Sequence, residues 1–199
     1  MQLLYSPTSP YARKVRVVAI ERGLTDRIEM VAANPLGEDT AALRAKNPLG
    51  KIPTLVLDDG TTLFDSPVIC EYLDALAAGP RLLAESGAER WACLRAAALA
   101  DGVMDAAFSL VMEGRRPDLQ RSHEWRTRWR QAIVASTAQF GPASGGAFDL
   151  GQVGMACAWG YLNFRLPEIA AEAVTPQVRD WWARVSERRS IAQTTPPAG

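Results

Sequence analysis

Histidine is almost missing from this 199-residue chain, with His123 its single copy. A Ser-His-Asp hydrolytic site would have to rest on that one residue, and a metal site built from several histidines is excluded. Cysteine is scarce as well. Cys70, Cys93 and Cys157 are odd in number and widely spaced, which argues against a disulfide framework and against a paired-cysteine zinc site. They read as reduced core residues of a cytoplasmic protein. Neither sign of charge is in excess, with 22 Lys+Arg against 22 Asp+Glu, so no net field draws the chain to nucleic acid or to an anionic membrane. No apolar run approaches the roughly 20 residues that span a bilayer. The N-terminus also lacks the basic start and apolar core of a secretory signal. GxSxG, GxGxxG and a phosphate loop ending in Gly-Lys-Ser/Thr are absent. Chemistry must therefore run on other groups, or on a co-substrate that brings its own nucleophile.

What is present is an ordinary globular composition, 48% hydrophobic and 22% charged, in a chain long enough for one large domain or two small ones. Residues 3–5 read as a strand, followed by a Ser/Pro/Thr turn and an abrupt helix start. Ser9 is a preferred N-cap, Pro10 suits the first helical position, and Val15, Val18 and Ala19 recur with helical spacing. One hydroxyl is thus delivered to the positive end of a helix, where an anion such as a thiolate can be stabilised. From this stretch alone, Ser9 as a plain cap and Ser9 as a functional group both stay open. Gly23 stops the helix, residues 28–32 read as a second strand, and a short helix is predicted over 39–46, ended by Asn47-Pro48. A strand then enters through Ile52-Pro53, turns at Asp58-Asp59-Gly60 and returns over 61–64. Asp65-Ser66-Pro67 repeats the opening device, a cap followed by proline, at the head of a helix running to about residue 78. The order βαβαββα over residues 1–78 is an α/β, thioredoxin-like layer.

Residues 79–87 have linker composition. Beyond them strand signals vanish, and residues 88–199 read as an all-α helical-bundle domain. Helices are predicted over 88–114 and over 118–140, the second carrying Trp125, Trp129, Ile133, Ser136 and Phe140 on one face. Arginines 121, 126, 128 and 130 interleave with the tryptophans, a pattern that a solvated basic face explains without nucleic acid. Asp149 caps a helix through residue 165, with Gln152 three residues on completing a capping box. That helix is apolar nearly all round, so it should be the buried centre of its domain. Pro176 opens a last helix through residue 188, and residues 194–199 read as a tail.

Ser9-Pro10-Tyr11, Asn47-Pro48-Leu49-Gly50-Lys51-Ile52-Pro53, Asp65-Ser66-Pro67 and the Asp149 cap resemble, in order and spacing over essentially the whole chain, the soluble glutathione S-transferases. Residues 100–106 and 160–165 and the Thr-Thr-Pro-Pro ending are similar to the bacterial YibF-type branch. The resemblance implies a cytoplasmic enzyme of detoxification that takes glutathione as co-substrate, needs no metal, and conjugates a small apolar electrophile. It also implies a homodimer formed through the third and fourth helices. Ile52-Pro53 would be the family's cis-proline bond, aiming the backbone of Ile52 at the cysteinyl unit of glutathione. Asp65 would meet the γ-glutamyl ammonium and Ser66 its carboxylate.

Ser9-Pro10-Tyr11-Ala12 has the form of a glutaredoxin Cys-Pro-Tyr-Cys site without either sulfur, so the protein cannot itself form a mixed disulfide there. Within the resemblance Ser9 becomes a serine-type catalytic group that donates to the thiolate of bound glutathione. Ser6, Thr8 and Tyr11 are further hydroxyl candidates. Relatives place a basic residue near the second helix for the glycyl carboxylate, whereas this chain has Glu38 and Asp39. Lys51, with Arg44 behind it, is the remaining cation. The electrophile pocket is expected between the domains, with Tyr11, Met104, Asp105, Phe108, Met112 and Tyr161 as candidate lining. Two other readings share the sequence: a non-catalytic glutathione- or ligand-binding or assembly protein, and a glutathione-dependent peroxidase using the same site.

Overall fold

The computed structural model describes residues 1–37, 39–143 and 146–197, which fall into two compact units. The first holds Met1–Leu83 together with the stretch from Ala192 onward, and the second holds Ala84–Ile191.

In the first unit, β1 (Gln2–Tyr5), β2 (Glu29–Ala32), β3 (Thr54–Val56) and β4 (Thr62–Leu63) form one sheet in the order β2-β1-β3-β4. β1 runs parallel to β2, and β3 runs antiparallel to both β1 and β4. The helices are α1 (Pro10–Glu21), α2 (Thr40–Lys46) and α3 (Ser66–Leu76), so the thioredoxin-like order βαβαββα stands as expected. α1 packs on α3, with Val15, Val17 and Val18 of α1 and Ile69 and Leu73 of α3 wholly buried. Gly23, at φ +65°, takes the left-handed turn that ends α1. The residue before it, Arg22, donates to the carbonyls of Asp74, Ala77, Ala78 and Pro80, satisfying the open end of α3. Its Nε also lies 3.1 Å from Asp74 Oδ1, an ion contact without hydrogen-bond alignment. The Asp74 carboxylate in turn accepts from the N–H groups of Leu82 at 2.8 Å and Leu83 at 3.0 Å. The chain just after α3, including the first part of the 79–87 segment read as a linker, is therefore held by Arg22 and Asp74.

The second unit is helical: α4 (Gly87–Gly114), α5 (His123–Thr137), α6 (Leu150–Arg165), α7 (Pro167–Ala173), α8 (Pro176–Val185) and the first residues of α9 (Arg189–Gln193), whose Ala192 and Gln193 are counted with the first unit. α6 is buried continuously from Gly151 to Leu162, as its apolar sequence demands. It can approach α4 closely because Gly151 and Gly154 face it. A Cβ on Gly151 would stand 2.7 Å from the Ala96 Cβ, and one on Gly154 would stand 3.0 Å from that of Ala100.

Four local expectations are corrected. α5 begins at His123, not at 118, because the Ser122 hydroxyl caps it by accepting from Trp125 N. The Ser122 N–H is itself taken by Glu113 at the end of α4, 2.7 Å away. Asp149 does cap α6, accepting from Gln152 N at 2.8 Å, but Gln152 does not close a capping box. Its buried amide instead donates to Gly141 O at 2.6 Å and accepts from Trp181 Nε1 at 2.7 Å. The last predicted helix stops at Val185, and α7 and α9 were not foreseen. Finally, residue 194 is no tail: Thr194 is fully buried and its Oγ1 accepts from Arg13 Nε at 3.2 Å.

Gln152→Ala should strip a buried partner from both Trp181 and Gly141, lowering unfolding free energy in urea by about 2–4 kcal/mol. The Ser122 N–H holds the Glu113 carboxyl below the usual carboxylate range, with Arg116 adding to the effect. A carboxyl depressed on folding stabilises above its unfolded value of about 4.3 and loses that contribution as pH falls through the folded value. Thermal melts of Glu113→Gln should accordingly lie below wild type at pH 7 and converge with it below pH 4.

Candidate active site

The strand directions bring the three sequence motifs to one end of the sheet. Leu4 stands opposite Thr54, and Leu55 stands opposite Leu63. Continuing that register places Pro53 level with Tyr5 on one side and with Asp65 on the other. The turn after β1, the loop entering β3 and the start of α3 therefore share one edge.

At the first corner, Ser9 is the N-cap of α1, with its Oγ accepting from Ala12 N at 3.2 Å and its own N–H donating to Ser6 O at 3.1 Å. An oxygen that accepts from the helix keeps its own proton, so the Ser9 hydroxyl that caps α1 still has a hydrogen to give. Ser6 and Thr8 pair with each other, their hydroxyls 3.2 Å apart. Ser9 is thus the one of these three turn hydroxyls tied to the helix end. Tyr11 is half-buried in the first turn of α1.

At the second corner the Ile52–Pro53 peptide bond is cis, as the motif leads one to expect. Pro53 is buried, Ile52 is half-buried and Lys51 is exposed. Ile52 packs against the buried cluster of Leu4, Ala33 and Leu43, which fixes its side chain on the core side. Asn47 reads in the sequence as the end of α2 and as the first residue of the Asn47–Pro53 motif, with no role for its side chain. It is 1% exposed, and its amide donates to Lys51 O at 2.9 Å and Thr54 Oγ1 at 3.1 Å. No local pattern signals this, because the partners lie four and seven residues away across a loop. Gly50, at φ +61°, makes the turn, and a side chain there would press on Arg44. Arg44 and Lys51 are therefore neighbouring cations around this loop.

At the third corner Asp65 is exposed at the N-cap of α3 and makes no side-chain cap bond, while Ser66 is 2% exposed at the first helical turn. The Phe64–Asp65 bond is also cis, which the sequence did not announce. The carboxylate of Asp39 is turned into its own loop, accepting from Asn34 N at 2.8 Å. The Glu38 half of the expected acidic pair lies outside the described residues.

The candidate lining residues of the helical unit differ in exposure. Met104 is fully buried and Tyr161 5% exposed, Asp105 and Phe108 are exposed, and Met112 is half-buried. Burial pushes the Tyr161 phenol up, opposed by Arg165 and Arg115. No group of three or more His, Cys, Asp or Glu that could hold a metal ion occurs among the described residues. No described helix is long and apolar enough to cross a membrane. A depression of about 530 Å³ lined by Met1, Arg27, Glu29, Val56 and Asp58 lies at the opposite end of the sheet, away from the three motifs.

The site is thus a thioredoxin-like sheet with a hydroxyl at the head of α1, a cis-proline loop and the N-terminus of α3 at one edge. The family model described as "Glutathione S-transferase, N-terminal domain" matches residues 8–76. The chain is 34% identical to the uncharacterized GST-like protein YibF of Escherichia coli K12, the alignment covering 99% of each. A glutathione transferase family member from Pseudomonas fluorescens Pf-5, solved with bound glutathione, superposes with a TM-score of 0.93 at 38% identity, over 98% of both chains. A structure of a family member from the same organism with bound S-(propanoic acid)-glutathione gives a TM-score of 0.89 at 37% identity, covering 99% of this chain and 100% of that one. The chain belongs to the glutathione S-transferase family.

All three cysteines are buried and none is in a disulfide, and burial pushes the Cys93 thiol up to about 11. A disulfide reagent at pH 7.5 should therefore titrate no thiol rapidly in the folded protein and all 3 after denaturation.

Proposed function

We propose that the protein is a glutathione transferase: it binds glutathione at this sheet edge, holds the thiol as thiolate at Ser9, and conjugates it to a small apolar electrophile. The observation that carries the reading is the convergence of Ser9, Ile52-Pro53 and Asp65-Ser66 on one edge, imposed by the strand register. Glutathione is a charged, extended peptide, and each part has a matching group. The γ-glutamyl carboxylate suits Ser66 and the open N–H groups of α3, and its ammonium suits the exposed Asp65. The cysteinyl backbone suits strand-like pairing with Ile52 before the cis bond. The glycyl carboxylate suits Lys51, with Arg44 beside the same loop; Asp39 opposes it less than its sequence position implies, since its carboxylate already accepts from Asn34.

Catalysis in this reading is positioning plus ionisation of the co-substrate's thiol. The Ser9 hydroxyl donates to the sulfur, the positive end of α1 adds to it, and the thiolate attacks the electrophile's carbon while the leaving group departs. No protein thiol takes part. The glutathione thioether bound to the Pseudomonas family member is chemically the kind of product such an attack leaves. A homodimer belongs to the same reading, supported by the exposed Val68 on α3 and Trp91 on α4.

Ultraviolet difference spectra of bound glutathione should show thiolate at pH 7 in the wild type. In Ser9→Ala the ionisation midpoint should return toward the ordinary thiol value of about 8.5. Turnover should fall about a hundredfold, the size of losing one donor to a reacting anion. Bound glutathione with unchanged thiolate signal and turnover in Ser9→Ala would remove Ser9 from the mechanism.

A further inference from the structure

The loop that would meet the cysteinyl unit of glutathione joins the end of α2 to the start of β3. Asn47 occupies the centre of that loop and is 1% exposed. Its Oδ1 accepts from Leu49 N at 3.0 Å, and its Nδ2 donates to Lys51 O at 2.9 Å and to Thr54 Oγ1 at 3.1 Å. Its backbone is used too: the N–H donates to Leu43 O at 2.8 Å, closing α2, and the carbonyl accepts from Gly50 N at 2.8 Å. Thr54, wholly buried, donates its hydroxyl to Lys51 O at 2.9 Å. Asn47, Lys51 O and Thr54 Oγ1 thus close a triangle of hydrogen bonds directly beneath the Lys51-Ile52-Pro53 run.

We infer that Asn47 and Thr54 are positioning residues for the glutathione subsite, fixing the Lys51 carbonyl inward so that the Ile52 backbone is presented outward in a single orientation. This rests on the glutathione-binding reading above. The chemistry explains the residue type. Asparagine offers an acceptor and two donors on one planar group, so it can take Leu49 N on one side and reach Lys51 O and Thr54 on the other. Aspartate has no donor for Lys51 O, and leucine would strip Leu49 N of its acceptor and leave Lys51 O and Thr54 Oγ1 with only each other. The threonine hydroxyl accepts from Asn47 and donates to Lys51 in the same instant, a relay that valine cannot make. The cluster of Leu4, Ala33 and Leu43 holds the Ile52 side chain from the other side. The segment is therefore fixed by polar contacts at Lys51 and by packing at Ile52, and its remaining backbone groups are the ones left to face a peptide.

The test uses calorimetric binding of S-methylglutathione, which lacks a thiol and so does not draw on Ser9. Asn47→Ala and Thr54→Val should each bind about tenfold or more weakly than wild type, whereas Thr54→Ser, which keeps the hydroxyl, should stay within about twofold. The maximal rate at saturating glutathione should change less than about twofold in Thr54→Val, because the defect lies in ground-state binding. The threonine pair decides the matter if Asn47→Ala does not fold. Wild-type binding with Thr54→Val equally tight, or with Thr54→Ser as weak as Thr54→Val, overturns the positioning role alone. A wild type that binds no S-methylglutathione at millimolar ligand overturns it together with the glutathione reading.

Discussion

A strand that runs against both of its neighbours brings its own beginning beside their endings, and β3 does this to β1 and β4. The consequence is local and strict. Whatever precedes β3 must lie next to whatever follows β1 and β4, so a loop, a turn and a helix start from three distant parts of the sequence become neighbours. Helix-capping chemistry then decides what those neighbours offer: an oxygen at the head of α1, and open N–H groups with a carboxylate at the head of α3. The sheet order supplies the geometry, and the caps supply the polarity.

Three buried polar side chains hold the irregular parts of the chain, each doing what backbone ladders do elsewhere. Asp74 with Arg22 ties down the segment after α3, Gln152 joins the start of α6 to α8 and to the carbonyl of Gly141, and Asn47 shapes the entry to β3. In each case the side chain replaces hydrogen bonds that a loop cannot make with itself, which is the condition for burying it at all. Removing one such group leaves several partners unpaired, so these positions concentrate sensitivity that the surrounding apolar core spreads thinly.

The parts of this protein that were legible in its sequence are those whose cause is local. Ser9-Pro10 and Asp65-Ser66-Pro67 announce helix starts through a cap and a fixed φ, and the apolar run of α6 announces burial, whereas the cis bond at Ile52-Pro53 is expected only through the family resemblance. The helical boundaries failed where a tertiary partner chose between local options. Asp118 and Ser122 are both plausible caps, and Glu113 settles the matter by binding the N–H of Ser122. Gln152 stands where a capping box would use it, yet Trp181, 29 residues on, takes its oxygen. Asn47 reads as the end of a helix and the start of a motif, but nothing in Asn-Pro-Leu-Gly-Lys shows that its amide reaches Thr54. Side-chain partners at long range are invisible to spacing, and the irregular parts of the site depend on them.

The hydrogen bond between Arg13 and Thr194 spans 181 positions within a single unit. A thioredoxin-like layer whose strands are all made by residue 63 is thus not complete when its last strand emerges. At about 5–20 residues per second of synthesis, the buried acceptor for Arg13 follows its donor by roughly 10 to 40 seconds. During that interval the sheet and its helices can form, but the α1 face that Thr194 covers stays open until the helical unit has been made. The order of synthesis therefore sets the whole helical unit between the start of this layer and the residue that completes it.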